Sequence, residues 1–279
     1  MDLKQGSTHF DDSWIRLDEI DDADFFIRFL DATRADFLKF ARANPKAAFA
    51  SLDLQPGMSI LDCGCGTGDV LSIIAGMVAP GKALGTDFSQ RMIDEATARA
   101  ASLDQDNLEF QCMDVQSLAL EDQSFDRVVA TQLLIHVPDP RKALQEMCRV
   151  LKPGGKIVVQ DVDWESMVIA CDNHALGRRF SQLFADGIRN GRVVRETPGW
   201  LKAEGMVDVQ VSPMPMVSLV DDDNMREWML YPALSSFVSK GSFTEAEAAE
   251  LLADLDRRRD EGRSFSVFPF YPVMATRPG

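Results

Sequence analysis

The run Asp62-Cys63-Gly64-Cys65-Gly66-Thr67-Gly68 sets one acid and three alternate glycines directly after the apolar pair Ile60-Leu61. Glycine admits positive φ and lets a ligand approach the backbone closely. Val70, Leu71, Ile73 and Ile74 then follow at helical spacing, and the start of a helix presents free N–H groups to whatever occupies the turn before it. This is chemistry for holding a nucleotide-type cofactor. A dinucleotide loop is spaced G-x-G-x-x-G, whereas here the third glycine arrives one residue early, which speaks against NAD. A plain structural turn is the competing reading of the loop taken alone.

More acids follow in series. Lys82-Ala83-Leu84-Gly85-Thr86-Asp87 reads as a short strand ending in a carboxylate, whose two oxygens suit both hydroxyls of a ribose. Phe88-Ser89 opens a helix, and Met92 one turn in is placed to pack on a flat base. Strands over 108–113, 127–131 and 157–160 end at Asp114-Val115, Thr131 and Asp161. Each acid singly reads as well as an N-cap for the next helix; four of them at successive strand ends are harder to dismiss. Of His9, His136 and His174, only His136 follows a strand on the cofactor side, with an unperturbed pKa suited to proton removal near neutrality. Within His136-Val137-Pro138-Asp139-Pro140 it reads equally as a residue that fixes the loop. Asp161 and Asp163 share a strand face by alternation: one orients an amine or hydroxyl, the other caps structure.

Strands alternating with helices imply a parallel sheet with right-handed crossovers, and ligands in such a sheet sit beyond the carboxyl ends of its strands. The expected fold is therefore α/β and Rossmann-like. It is a doubly wound seven-stranded sheet with the last strand antiparallel, N-terminal helices and helical cap insertions.

The acid–G-x-G-x-G loop, the H-V-P-D-P element and the turn Leu151-Lys152-Pro153-Gly154-Gly155 together resemble the class I S-adenosylmethionine (SAM) methyltransferases. The similarity is to the branch of ubiquinone/menaquinone and bacterial natural-product methyltransferases, and it is strong over 55–160. The resemblance implies SAM contacts at Asp62, Gly64, Gly66, Asp87, Met92, Asp114, Val115 and Thr131. It gives Asp62 the cationic amino group and Asp114 the adenine amino group. Cys63 and Cys65 stand where the family commonly has small residues.

At 279 residues and 46% apolar the chain can bury one full core plus a modest cap. No apolar stretch approaches the ~20 residues of a membrane span, and the amino terminus lacks the basic and apolar regions of a secretion signal. Five cysteines, an odd number, point to reduced thiols in a cytoplasm. Cys63-x-Cys65 is not a zinc spacing, and no metal is expected. A net charge of −15 disfavours a nucleic-acid partner. Arg178, Arg179, Arg189, Arg192 and Arg195 depart from that acidity. They read either as a solvated face pairing with acids or as recognition of a substrate carboxylate or phosphate.

One domain is expected over 1–279: N-terminal helices over 10–54, the SAM-binding core over 55–160, and caps over 163–196 and 221–262. Phe25, Phe26, Phe29, Leu30, Phe37, Leu38 and Phe40 recur at helical spacing, for contact with the sheet or as a lid over the cofactor. Helices are expected over 175–190, 197–205, 225–237 and 244–259, the last opened by a Thr244/Glu247 capping box. Strands are expected over 207–211 and 263–276, with Pro269 and Pro272 asking for an edge or a bulge. The large, soft or aromatic Met214, Met216, Trp228, Met229, Tyr231 and Phe237 suit an apolar acceptor pocket or simple packing of caps on core. Trp164 joins Trp228 and Tyr231 as a candidate substrate contact, and His136 and Asp163 are the candidate catalytic residues.

The function expected is SAM-dependent methylation (O-, C- or N-) of a medium-sized apolar or aromatic small molecule, quinone-like or a secondary metabolite. The enzyme would be a cytoplasmic monomer or homodimer with no membrane or nucleic-acid partner. The alternatives are a SAM-binding cyclase or decarboxylase that transfers no methyl, and a protein that senses SAM or NAD.

Overall fold

The computed structural model describes residues 17–19, 24–221 and 223–279. His9 and the positions 10–16 and 20–23 of the expected N-terminal helices lie outside these residues. The described strands are β1 (Ile60–Cys63), β2 (Ala83–Asp87), β3 (Leu108–Cys112), β4 (Phe125–Thr131), β5 (Leu151–Val162), β6 (Val168–Ile169), β7 (Val207–Val211), β8 (Met214–Ser218) and β9 (Ser266–Thr276). The sheet runs β3-β2-β1-β4-β5-β9-β6, and β7 and β8 also pair with β9. The first five strands are parallel and β9 is antiparallel to β5, as expected.

Two short strands go beyond the expected seven. β6 pairs with Val267 and Ser266 near the start of β9, and β8 pairs with the same stretch. β9 is thus flanked on both sides, which corrects the expectation of an edge strand or a bulge for its prolines. Each proline falls where a neighbouring ladder is interrupted. Pro269 is level with the gap between β5 and β6, where its carbonyl accepts from Asp163 N–H at 3.1 Å. Pro272 is level with the break between β7 and β8, where its carbonyl accepts from Ser212 N–H at 3.0 Å. A residue without an N–H is tolerated where no ladder acceptor awaits it.

Side chains alternate across the sheet. Leu61, Cys63, Ile157 and Val159 enter one core with helices Pro140–Val150 and Val193–Ala203. Ile60, Ala83 and Val158 enter the other with helix Asp69–Val78. The two insertions meet each other in a further core. Helix His174–Asp186 supplies Phe180 and Phe184, helix Tyr231–Ser239 supplies Leu234 and Phe237, and helix Glu245–Asp260 supplies Leu251 and Leu255. Helix Glu245–Asp260 opens on the expected capping box, Glu247 N–H donating to Thr244 Oγ1 at 3.2 Å and Thr244 N–H to Glu247 Oε2 at 2.9 Å. Met214 and Met216 fall on β8, half-exposed, so they line no cap pocket. The register of β8 with β9 places them on the sheet instead.

Candidate active site

At the end of β1 the chain turns back, and the N–H groups of Gly64 and Cys65 both donate to Thr86 O, at 2.7 and 3.0 Å. Gly66 and Gly68 take positive φ, +55° and +75°, a region that other residues enter only at a cost. The site wall leaves no space behind Gly68, where a Cβ would lie 2.5 Å from Phe110 Cζ. Asp87 fastens this loop to the tip of β2. Its Oδ2 accepts from Gly66 N–H and its Oδ1 from Ser89 N–H, each at 3.0 Å. One lone pair on each oxygen remains for a hydroxyl.

Asp62 is buried, and its carboxylate accepts no hydrogen bond among the described residues. Burial pushes its pKa up to about 7, against the opposing pull of Arg34. A desolvated carboxylate with no donor fits an incoming ammonium group. The glycine loop, Asp62 and Asp87 therefore fit the amino-acid and ribose parts of SAM. On the adenine side, Asp114 Oδ1 accepts from the N–H and side-chain amide of Gln116, at 2.8 and 3.0 Å. Gln116 Oε1 in turn accepts from Asp139 N–H at 2.9 Å, which ties this corner to the H-V-P-D-P element. Val115 is buried and Thr131 half-buried beside it.

The helix Asp24–Ala43 lies over this mouth. Phe26 and Leu30 pack with Leu17 on Met92, so Met92 is buried beneath the helix. Phe25, Phe26 and Phe29 thus pack with Leu17 and Met92, while Ala41 packs with the core under the sheet. Ion pairs rim the contact: Arg42 with Asp69 at 3.0 Å, and Arg99 with Asp31 at 2.7 Å and Asp69 at 2.6 Å. Arg34 of the same helix comes close to the loop, its Nη1 3.6 Å from where a Cβ on Gly66 would stand. Sequence reasoning missed Arg34, although a signal was there. Phe26, Leu30 and Leu38 mark the buried face at four- and eight-residue spacing, and Arg34 interrupts that stripe.

His136 lies in the loop after β4, its N–H donating to Leu133 O at 3.0 Å. Burial pushes its pKa down to about 3, so the imidazole is neutral near pH 7. The cap pins this loop through Asn190, a second residue the sequence did not single out. Asn190 Nδ2 donates to Leu134 O at 2.8 Å and Val137 O at 2.7 Å. Asp161 at the end of β5 is 1% exposed, and among the described residues neither carboxyl oxygen is satisfied. The N–H groups of Leu133, Leu134 and Ile135 face it, yet burial dominates and lifts its pKa to about 8.

Asp163 is already engaged. Its Oδ2 accepts from Arg195 Nη2 at 2.8 Å, Arg195 Nε at 3.1 Å and Ser166 Oγ at 2.5 Å. Arg179 pairs with Glu247 and Arg192 with Asp186, so these three arginines of the basic segment pair with acids of the protein. Trp164 packs between the core and the cap, its ring 4.9 Å from that of Phe184, with Nε1 buried and without a partner among the described residues. Trp228 stands edge-on to Phe29 at 5.5 Å, joining cap to lid. Tyr231 interacts with Arg226, which is itself buried against Asp221. The structure thus gathers His136, Asp161 and Trp164 around the ends of β4 and β5, sets Trp228 against Phe29 of the N-terminal helix, and keeps Tyr231 beside Arg226. Among the described residues no cluster of side chains could hold a metal ion, and no helix is long and apolar enough to cross a membrane.

A family model described as a methyltransferase domain matches residues 54–195, half of the chain. An uncharacterised 37.1 kDa protein in transposon TN4556 of Streptomyces fradiae is 38% identical over 158 residues, 56% of this chain and 45% of the relative. The demethylmenaquinone methyltransferase of Bacillus mycoides is 30% identical over 184 residues, 60% of this chain and 78% of the relative. The chain spans about half the length of the first curated relatives it matches. Among solved structures, the YcgJ protein from Bacillus subtilis superposes with a TM-score of 0.57 at 19% identity, over 82% of this chain and 96% of that one; this likeness supports the fold. With the acid–glycine loop, the ordered acids and the β5–β9 antiparallel pair all in place, the chain belongs to the class I SAM-dependent methyltransferase family, in its quinone-type branch.

Proposed function

We propose that the chain transfers the methyl group of SAM to a medium-sized apolar or aromatic small molecule, quinone-like or a secondary metabolite. The observation that carries this reading is the character of the acceptor side. The cap brings Trp164 and Phe184 to the end of β5, where His136 and Asp161 are both neutral near pH 7. Asp163 and Arg195 neutralise each other there. A dry, mostly apolar wall with a few hydrogen-bonding groups suits an aromatic ring bearing a hydroxyl or carbonyl. The names of the curated relatives support a quinone-like acceptor.

When bound, SAM supplies an activated methyl on its sulfonium. The protein's part is to align the acceptor, exclude water and take up a proton where the acceptor must lose one. The two insertions set the acceptor's shape in this reading, and five unpaired thiols suit a cytoplasmic protein. The test is incubation with methyl-labelled SAM and a panel of naphthoquinols, phenols and isoprenoid aromatics. Transfer of label to members of this panel is expected. Label that binds but is never transferred would support the cyclase or decarboxylase reading instead.

Asp62 gives this site a pH signature. Its folded pKa of about 7 lies above the ordinary carboxylate value. The unliganded protein therefore loses stability as pH rises through about 4 to 7. An ammonium ligand requires the ionised form and reverses that loss. Affinity for S-adenosylhomocysteine is expected to be full above about pH 7 and to fall by up to tenfold per unit below it. Calorimetric titrations between pH 5 and 8 check this, and a flat profile would take Asp62 out of contact with the ammonium.

A further inference from the structure

The loop that carries His136 is held from two sides. The N–H groups of Leu133, Leu134 and Ile135 face the buried carboxyl of Asp161 at the end of β5. The carbonyls of the loop are taken by one residue of the first insertion. Asn190 Nδ2 donates to Leu134 O at 2.8 Å and to Val137 O at 2.7 Å, and Asn190 N–H donates to Ile135 O at 3.1 Å. Both donors of the carboxamide are spent on this loop, on carbonyls that lie before and after His136. Leu134, Ile135 and Val137 are buried, so a carbonyl that lost its donor there would be left unsatisfied at a cost.

Asn190 is also tied to the aromatic wall at the end of β5. Helix His174–Asp186, which carries Phe184, runs into a turn where Gly187 N–H donates to Leu183 O at 3.0 Å and Gly191 N–H to Ile188 O at 3.3 Å. Gly191 lies so close to that helix that a Cβ on it would stand 2.6 Å from Ala185 O. Its carbonyl accepts from Trp164 N–H at 3.0 Å, and the Trp164 ring packs on Phe184 at 4.9 Å. Trp164, Phe184 and Asn190 therefore belong to one tightly tied unit. A shift of the wall moves Asn190, and Asn190 carries the carbonyls that flank His136 with it.

We propose that Asn190 is a positioning residue for His136, coupling the seat of the acceptor against Trp164 and Phe184 to the placement of the imidazole. The first insertion then does more than shape the acceptor pocket. The wall that the acceptor rests on and the base that meets it are held by the same turn.

The proposal rests on the acceptor reading with His136 as base, and the tests separate the two. Asn190→Asp keeps the shape of the side chain and removes both donors. Gly191→Ala leaves Asn190 intact and pushes the turn away from Ala185 O. Protein labelled with ¹³C in its histidine rings is compared by NMR; the chain has three histidines, and His136→Ala assigns the signal. Both variants are expected to shift the ring signals of His136 and to leave those of His174, at the far end of its helix, in place. Affinity for S-adenosylhomocysteine is expected to stay within about twofold of wild type.

Initial rates are then taken with the quinol or phenol that the protein methylates fastest. Asn190→Asp is expected to lower kcat by about ten- to a hundredfold, the scale of a slightly misplaced reacting group. In His136→Ala protein the same substitution is expected to change kcat by less than about twofold, because residues that act as a unit are not additive. Unmoved His136 signals would overturn the proposal. So would losses that multiply in the double variant, which would make Asn190 a support of the cap independent of His136. A wild-type rate in His136→Ala would end the base reading and the proposal together, and moved signals in that case would place the failure in the base and not in the clasp. If Asn190→Asp does not fold, Asn190→Ser, which removes the two-pronged amide without adding charge, takes its place in both measurements.

Discussion

Gly68→Val is expected to lower the melting temperature by roughly 4–20 °C and to weaken cofactor binding at least about a hundredfold. The first figure follows from two effects. A side chain at φ +75° costs about 1–2 kcal/mol, and overpacking costs about 1–3 kcal/mol. Here the new Cβ would stand 2.5 Å from Phe110 Cζ and 3.0 Å from Ala96 Cβ. Each kcal/mol moves the transition by about 2–4 °C in a chain of this size. The binding loss follows because relief of the clash must move Gly68 away from β3, and Gly66 and its bond to Asp87 move with it. Gly57→Ala is the control: its φ of +92° is equally unfavourable, but nothing lies within 4 Å of the added Cβ. Thermal unfolding and calorimetry of the two variants check the point. Cofactor affinity within about threefold of wild type in Gly68→Val would show that the loop is not braced by Phe110.

His136→Ala is expected to lower kcat by about a hundredfold while affinity for S-adenosylhomocysteine stays within about twofold. With its pKa held near 3 by burial, His136 stays unprotonated from about pH 4 upward. The wild-type rate should therefore show no limb near the ordinary histidine value of about 6.5. The deficit should shrink as pH rises or as a more acidic acceptor is used, because less help is then needed. Initial rates across pH with two acceptors of different acidity check this. A rate within a few-fold of wild type at every pH would leave His136 the task of shaping the loop that Asn190 pins. A drop in cofactor affinity equal to the drop in rate would move it into the cofactor shell.

The chemistry legible before folding was chemistry written at short range. Asp62 and its three glycines lie within seven residues, and Asp87, Asp114 and Thr131 each close or directly follow a run that alternation marks as a strand. Strand ends of a parallel sheet converge on one edge, so spacing alone placed these residues together. The Thr244/Glu247 capping box is similarly local and formed as expected. Prolines 269 and 272 show the limit of this kind of inference. Their missing donors forbid a complete ladder, which reads as an edge, yet β9 is flanked on both sides and the gaps are in its neighbours.

Tertiary structure decided what depends on partners distant in the chain. Arg195, 32 residues on from Asp163, comes to rest against its Oδ2, while its Oδ1 stays buried without a partner among the described residues. His136 and Asp161 carry ordinary pKa values in isolation. Packing drives the imidazole down to about 3 and the carboxyl up to about 8, because desolvation depends on everything that surrounds a group and not on its neighbours in sequence. Arg34 was visible as a charge within an apolar stripe, but the acids it faces lie 28 and 53 positions away. By itself the sequence determined the class of fold, the cofactor loop and the order of the acids at the strand ends, since each rests on local backbone chemistry. Only the assembled protein decided which of those charges are held in pairs, which are neutral, and which remain uncommitted for a ligand, since Coulombic and desolvation energies are set by distances that only folding creates.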